Sequence, residues 1–258
     1  MKLTGSENMF GEKLTYAEVG VLNILRSIRR PVSPKWIKPI LRREIPAISL
    51  KRLRHAGLIT KHGNGYQISL EGRRLMGGCR GRWLFLIRPE RRELWNLGMA
   101  KLSRGVWVAP CSRILQHRLQ DIGLVIEGWS LGVEETWMKH MIPARIGEKI
   151  GLASVNIEKA ERTAATCGEE CLSTIAGRVE AAVRHSVEAM LLAYGLEKAD
   201  FQPLGSLEHV LGEVGRIAAE VFSEVLKYRP SYRKVVSLIS VVADLIKMVD
   251  RECWSRIS

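Results

Sequence analysis

The chain has 258 residues, 46% of them hydrophobic and 26% charged, with a formal net charge of +13. That balance belongs to a folded protein long enough to bury a proper core, and it excludes a disordered chain. No run reaches the roughly 18 uninterrupted apolar residues of a membrane span, and the start, Met1-Lys2-Leu3-Thr4-Gly5-Ser6-Glu7, lacks an apolar signal core, so a cytoplasmic protein without a membrane partner is expected.

Residues 1–125 hold 24 Lys+Arg against 8 Asp+Glu, whereas residues 126–258 hold 16 against 19. A split this sharp points to one end built to sit on a polyanion. In that end, Thr15-Tyr16-Ala17-Glu18 reads as a capping box, a hydroxyl followed three residues later by a carboxylate. Val21, Ile24, Leu25 and Ile28 then recur at helical spacing. Ser33-Pro34 opens a second, short helix through Leu41, which Pro39 is expected to bend or shorten. A third helix is predicted from about Pro46 to His55, ending at Ala56-Gly57. Ile48, Leu50 and Leu53 would face inward, leaving Ser49, Lys51, Arg52 and His55 largely outside. Leu58-Ile59-Thr60-Lys61 and Tyr66-Gln67-Ile68-Ser69, joined by His62-Gly63-Asn64-Gly65, read as a hairpin, and Leu70 to Arg74 begins a further helix.

Three helices followed by a basic-tipped hairpin give the order of a winged helix-turn-helix. In that class the third helix enters the major groove of double-stranded DNA. Arg52 would make a bidentate contact to guanine, with weaker contacts from Ser49 and His55. Lys51 and Arg54, with Arg42 and Arg43 in the preceding turn, would meet phosphates. Lys61, His62 and Asn64 at the hairpin tip would touch backbone or the minor groove. Winged helices also serve as protein–protein adaptors, which gives an alternative reading.

From Arg82 the pattern becomes α/β. Trp83 to Ile87 is a short apolar strand, Pro89 to Leu102 a helix, Gly105 to Pro110 a strand, Cys111 to Gln120 a helix and Leu124 to Glu127 a strand. A run of this kind suggests a small ferredoxin-like or split βαβ unit. The order of these parts, the "IRPERRE" opening and the "RGVWVAP" strand together resemble the phenylacetate-degradation repressor (PaaX-like) group over about residues 14–130. The resemblance rests on Gly105, Val106, Trp107, Val108 and Pro110. It implies a winged-helix transcription regulator whose second domain is ferredoxin-like and similar to a small CRISPR-associated endonuclease fold. Those endonuclease relatives carry a metal-binding Asp at the end of the first strand. Here Arg88 and Pro89 stand there, with Glu90 beyond, so no metal or nuclease role is expected of this domain. Nothing in the chain supports carrying over phenylacetyl-CoA binding.

The five cysteines are scattered apart from Cys167 and Cys171, which are read as small semi-apolar helix residues with neither a zinc site nor a disulfide framework in view. Gly147 to Ser154 suggests a boundary. Beyond it, helices are predicted over 157–166, 169–194 (irregular at Gly177), 206–228 and 231–254, a four-helix-like bundle that would dimerise, bind a small-molecule effector, or both. Arg178 and His185, with six residues between them, match the wide end of the Arg-x(4–6)-His spacing of the HEPN family of helical RNases. In such enzymes the Arg stabilises phosphate charge and the His moves a proton. Surface residues of an amphipathic helix account for the same pair.

The expected fold is thus mainly α, α+β. It comprises a winged helix-turn-helix over 1–78, a small ferredoxin-like unit over 79–150 and a helical bundle over 151–258. The expected function is sequence-specific DNA binding by a non-enzymatic, homodimeric transcription regulator without cofactor or metal. The alternatives are a HEPN-like RNase and a non-enzymatic adaptor in a nucleic-acid complex.

Overall fold

The computed structural model describes residues 13–78, 82–87, 89, 93–129, 132–196, 205–227 and 230–257. The protein is mainly helical, with two small antiparallel sheets, and divides into two compact units, Met1–Ala144 and Arg145–Ser258.

The first unit opens with α1 (Tyr16–Arg26). Its capping box is formed in full: Thr15 Oγ1 accepts from the Glu18 N–H, and Glu18 Oε2 accepts from the Thr15 N–H at 2.8 Å. Such a cap contributes about 1 kcal/mol. α2 (Pro34–Leu41) tolerates Pro39 by staying short, and it ends at Arg42, held in the left-handed region at φ 51°. α3 (Ala47–His55) follows, then β1 (Ile59–His62) and β2 (Gly65–Ile68), paired from Ile59↔Ile68 to His62↔Gly65. Val32 bridges Tyr66 and so adds a third short segment beside the hairpin. α4 (Leu70–Met76) is capped by Ser69.

A four-stranded sheet completes this unit. It contains β3 (Trp83–Ile87), β4 (Ala100–Ser103), β5 (Val106–Pro110) and β6 (Leu124–Gly128), in the order β4-β5-β3-β6 with every pairing antiparallel. α5 (Arg113–Gln120), capped by Ser112, links β5 to β6, and α6 (Val133–His140) follows. Among the described residues, the helix expected from Pro89 to Leu102 is not present. Its described part is a 3-10 turn, Glu93–Leu97, that stops at Gly98 (φ 64°) and gives way to β4. A left-handed residue cannot continue a right-handed helix, and only glycine takes it at little cost.

Buried polar groups tie these parts together. Asn23 of α1, with no exposed surface, donates to the Leu97 and Gly98 carbonyls at 3.3 and 3.2 Å. Arg26 donates to the carbonyls of Gly77 and Cys111, each at 2.7 Å, and Ser112 Oγ to that of Met76 at 2.7 Å. The division expected at residue 78 therefore falls inside one compact unit.

The second unit is a helical bundle. α7 (Ile142–Cys167) begins three residues before the division between the units, and the boundary expected at 147–154 lies just past that division, within this unbroken helix; a glycine inside a helix costs only about 1 kcal/mol. A 3-10 turn, Gly168–Cys171, leads into α8 (Leu172–Ala193), which passes Gly177 without interruption. The predicted helix over 206–228 is two helices, α9 (Gly205–Leu211) and α10 (Glu213–Val225), separated by Gly212 at φ 55°. α11 (Tyr232–Ile257) buries one stripe, Val235, Ile239, Val242, Leu245, Ile246, Val249 and Cys253, and packs chiefly on α8. Its other apolar residues leave that stripe: Val241 is 42% exposed.

Cys167 and Cys171, expected to be unpaired helix residues, form a disulfide across the turn between α7 and α8. The pair brackets the 3-10 turn, with Cα atoms 5.8 Å apart. Among the described residues, no helix is long and apolar enough to cross a membrane.

Candidate nucleic-acid interface

α3 lies against the first unit through Ser49, Leu50 and Leu53, which are 6%, 7% and 1% exposed. This corrects the expected inward set. Ser49, expected outside as a base contact, is buried, and Ile48, expected inside, is 62% exposed. The reason is helical geometry. At about 100° per residue, Ser49 sits about 40° from Leu53 around the helix axis, whereas Ile48 sits about 140° away. The signal was present in the spacing, and an apolar residue beside the first turn obscured it.

The outward side of α3 carries Lys51, Arg54 and His55, all exposed and without an ion pair among the described residues. Arg43, in the turn before α3, is likewise exposed and unpaired among the described residues. At the hairpin tip, Lys61, His62 and Asn64 are exposed, with His62 Nε2 3.0 Å from Thr60 Oγ1.

Two of the expected contacts are engaged elsewhere. Arg52 places Nη1 3.5 Å from Oε1 of Glu18, whose side chain is entirely buried, and Nη2 donates to the Lys13 carbonyl at 3.4 Å. Glu18 thereby caps α1 with Oε2, while Oε1, buried and without a hydrogen-bond partner, has Arg52 of α3 at ion-pair distance. A carboxylate shut off from water needs a cation nearby, and Arg52 is that cation. Arg42 stacks its guanidinium 3.7 Å from the centre of the Trp95 ring. Arg42 and Arg52 stay exposed but tethered, and the exposed side chains of the expected set without an ion pair or ring contact are Arg43, Lys51, Arg54, His55, Lys61, His62 and Asn64.

Behind Arg42 lies an aromatic cluster in the same unit. Trp95 meets Trp107 edge-on at 4.6 Å, and the His140 ring lies 5.6 Å from Trp95 and 5.5 Å from Trp137. His140 Nε2 is closed to solvent and has no hydrogen-bond partner. Burial, helped by the nearby Arg42 charge, lowers its pKa to about 4, so the ring is neutral near pH 7.

In the helical unit, the expected alternative pair is split between two tethers that join α7 to α8. Arg178 Nη1 donates to Asn156 Oδ1 at 3.1 Å, while His185 Nδ1 lies 3.2 Å from Glu188 Oε2, which also pairs with Lys149. Burial alone would raise the Glu188 pKa, but hydrogen bonds from His185 and Lys149 outweigh it and hold the carboxyl at about 2. Arg178 thus has its partner across the α7–α8 hairpin, whereas His185 pairs within α8 with Glu188, which Lys149 ties to α7. The same unit contains an open groove of about 610 Å³ between α7 and α11, whose walls include Ile157, Ala164, Tyr232, Val236, Ile239 and Asp244. Among the described residues, no group of three or more His, Cys, Asp or Glu is placed to hold a metal ion. Arg88 and Glu90 lie outside the described residues, and Pro89 follows β3.

No protein family, curated protein or solved structure matches the chain.

Proposed function

We propose that this protein is a sequence-specific, duplex-DNA-binding transcription regulator that reads DNA with α3 and the β1–β2 hairpin as a winged helix-turn-helix and acts as a homodimer. The observation that carries the reading is the two-sidedness of α3. One face is buried through Leu50 and Leu53, and the other presents Lys51, Arg54 and His55 with no acidic partner. A helix docked by one side and cationic on the other is the arrangement that places side chains against a phosphate-lined groove. The bridge from Val32 to Tyr66 supports the winged-helix reading, since it ties the segment between α1 and α2 to the hairpin.

The strand order β4-β5-β3-β6, entirely antiparallel, supports the ferredoxin-like reading of the second segment: numbered from its own first strand, the sheet runs 2-3-1-4. The PaaX-like resemblance remains part of this proposal, and its Val106, Trp107, Val108 and Pro110 lie in β5. In the same reading the helical unit dimerises or answers a small-molecule effector, for which the groove between α7 and α11 offers room.

Selection of duplexes from a random pool by the full chain tests the proposal. One sequence class should be enriched, and neither its separated strands nor an RNA of the same sequence should compete at equal concentration. No enrichment, or equal competition by RNA, would refute it.

A further inference from the structure

Ile48 stands out on α3, whose other exposed residues are Ala47 and the cationic or polar Lys51, Arg52, Arg54 and His55. It is among the large hydrophobic side chains left exposed, at 62%, and it lies in the first turn of α3. Lys51 and His55 follow it at three and seven residues, and all three are exposed. That spacing puts them along one stripe of the helix. Leu50 and Leu53 already fill the inward face, so Ile48 adds nothing to the core.

Resting on the DNA-binding reading, we infer that Ile48 determines specificity by packing against the 5-methyl group of a thymine in the major groove. The first turn of a groove-reading helix is the part that reaches base edges. The thymine methyl is the one apolar feature exposed on those edges, and aliphatic or aromatic side chains recognise it by contact alone. A branched aliphatic side chain has no hydrogen bond to offer any other base. Lys51, one turn further on, reaches the flanking phosphate and sets the register. Arg52, half exposed, is tethered toward Glu18 and the Lys13 carbonyl rather than toward the stripe that carries Ile48.

The test uses the full chain and a duplex enriched from a random pool, in which each thymine in turn is replaced by deoxyuridine, removing one methyl and nothing else. At one position the replacement should weaken wild-type binding about three- to fivefold, as expected for one buried methyl. The Ile48→Ala variant should bind the unmodified duplex about as weakly, and the same replacement should cost it nothing further. Ile48→Ala lies outside the core, so its fold is retained. Should every replacement cost both proteins equally, or should Ile48→Ala bind with unaltered affinity, this inference falls while DNA binding stands. A pool from which no duplex is enriched would instead overturn the DNA-binding reading, and this inference with it.

Discussion

The two units solve the problem of stability differently. In the first, short elements are held by side chains that reach backbone carbonyls far away in sequence: Asn23 to Leu97 and Gly98, Arg26 to Gly77 and Cys111, Ser112 to Met76. In the second, long helices pack through apolar stripes, and several charges pair within one helical turn, as in Arg184–Glu180, Arg216–Glu213, Lys247–Asp244 and Arg256–Glu252. The second unit holds nearly equal numbers of basic and acidic residues. In the first, Arg43, Lys51, Arg54 and Lys61 are exposed and have no ion pair among the described residues, so positive charge remains available to a partner. The contrast is one of net charge: residues 1–125 carry 24 Lys+Arg against 8 Asp+Glu, and residues 126–258 carry 16 against 19.

Perturbing each unit separately sharpens the contrast. The largest effect is expected at Asn23, where Asn23→Ala leaves two carbonyls unsatisfied in a buried place. It should lower the stability of the first unit by about 2–3 kcal/mol in denaturant unfolding, with little change in the second. Reduction of the Cys167–Cys171 bond, which closes a short loop, should cost the second unit about 2 kcal/mol by the chain-entropy relation. Differential scanning calorimetry with and without dithiothreitol reads this directly, and an unshifted transition would contradict it.

Acid should act in two separate windows. Unfolded His140 takes up its proton below its ordinary pKa of 6.5, and the folded protein only below about 4. Stability of the first unit should therefore fall as pH drops from 6.5 toward 4, and His140→Phe should flatten that decline. Glu188 titrates at 4.5 when unfolded and at about 2 when folded. Its contribution is complete above 4.5 and is lost from there down toward 2, and Glu188→Gln should remove that acid-side loss from the second unit.

Much of the fold was legible in residue spacing. The Thr15–Glu18 capping box, the hairpin around Gly63-Asn64 and the strand at Trp83–Ile87 all stand where their patterns put them. These are local features, set by cap chemistry, turn chemistry and alternation. What the sequence hid depends on backbone choices made at single residues. Gly98 turned a helix into a 3-10 turn and a strand, and Gly212 split α9 from α10. In the candidate site, the exposed Lys51, Arg54 and His55 followed from composition and helical phase. The roles of Arg52 and Arg42 did not, because Glu18 and Trp95 lie 34 and 53 residues away in the chain and only the tertiary fold brings them together. Arg178 and His185 carry the same lesson. Their shared spacing is real, yet each is met by a different partner.

The salt dependence of duplex binding tests the central claim most directly. Comparing the wild-type chain with the triple variant Lys51→Ala, Arg54→Ala, Lys61→Ala, the slope of log K against log[salt] should become shallower by about three, close to one per lost phosphate contact. An identical slope for the two proteins would place the phosphates elsewhere and contradict the account.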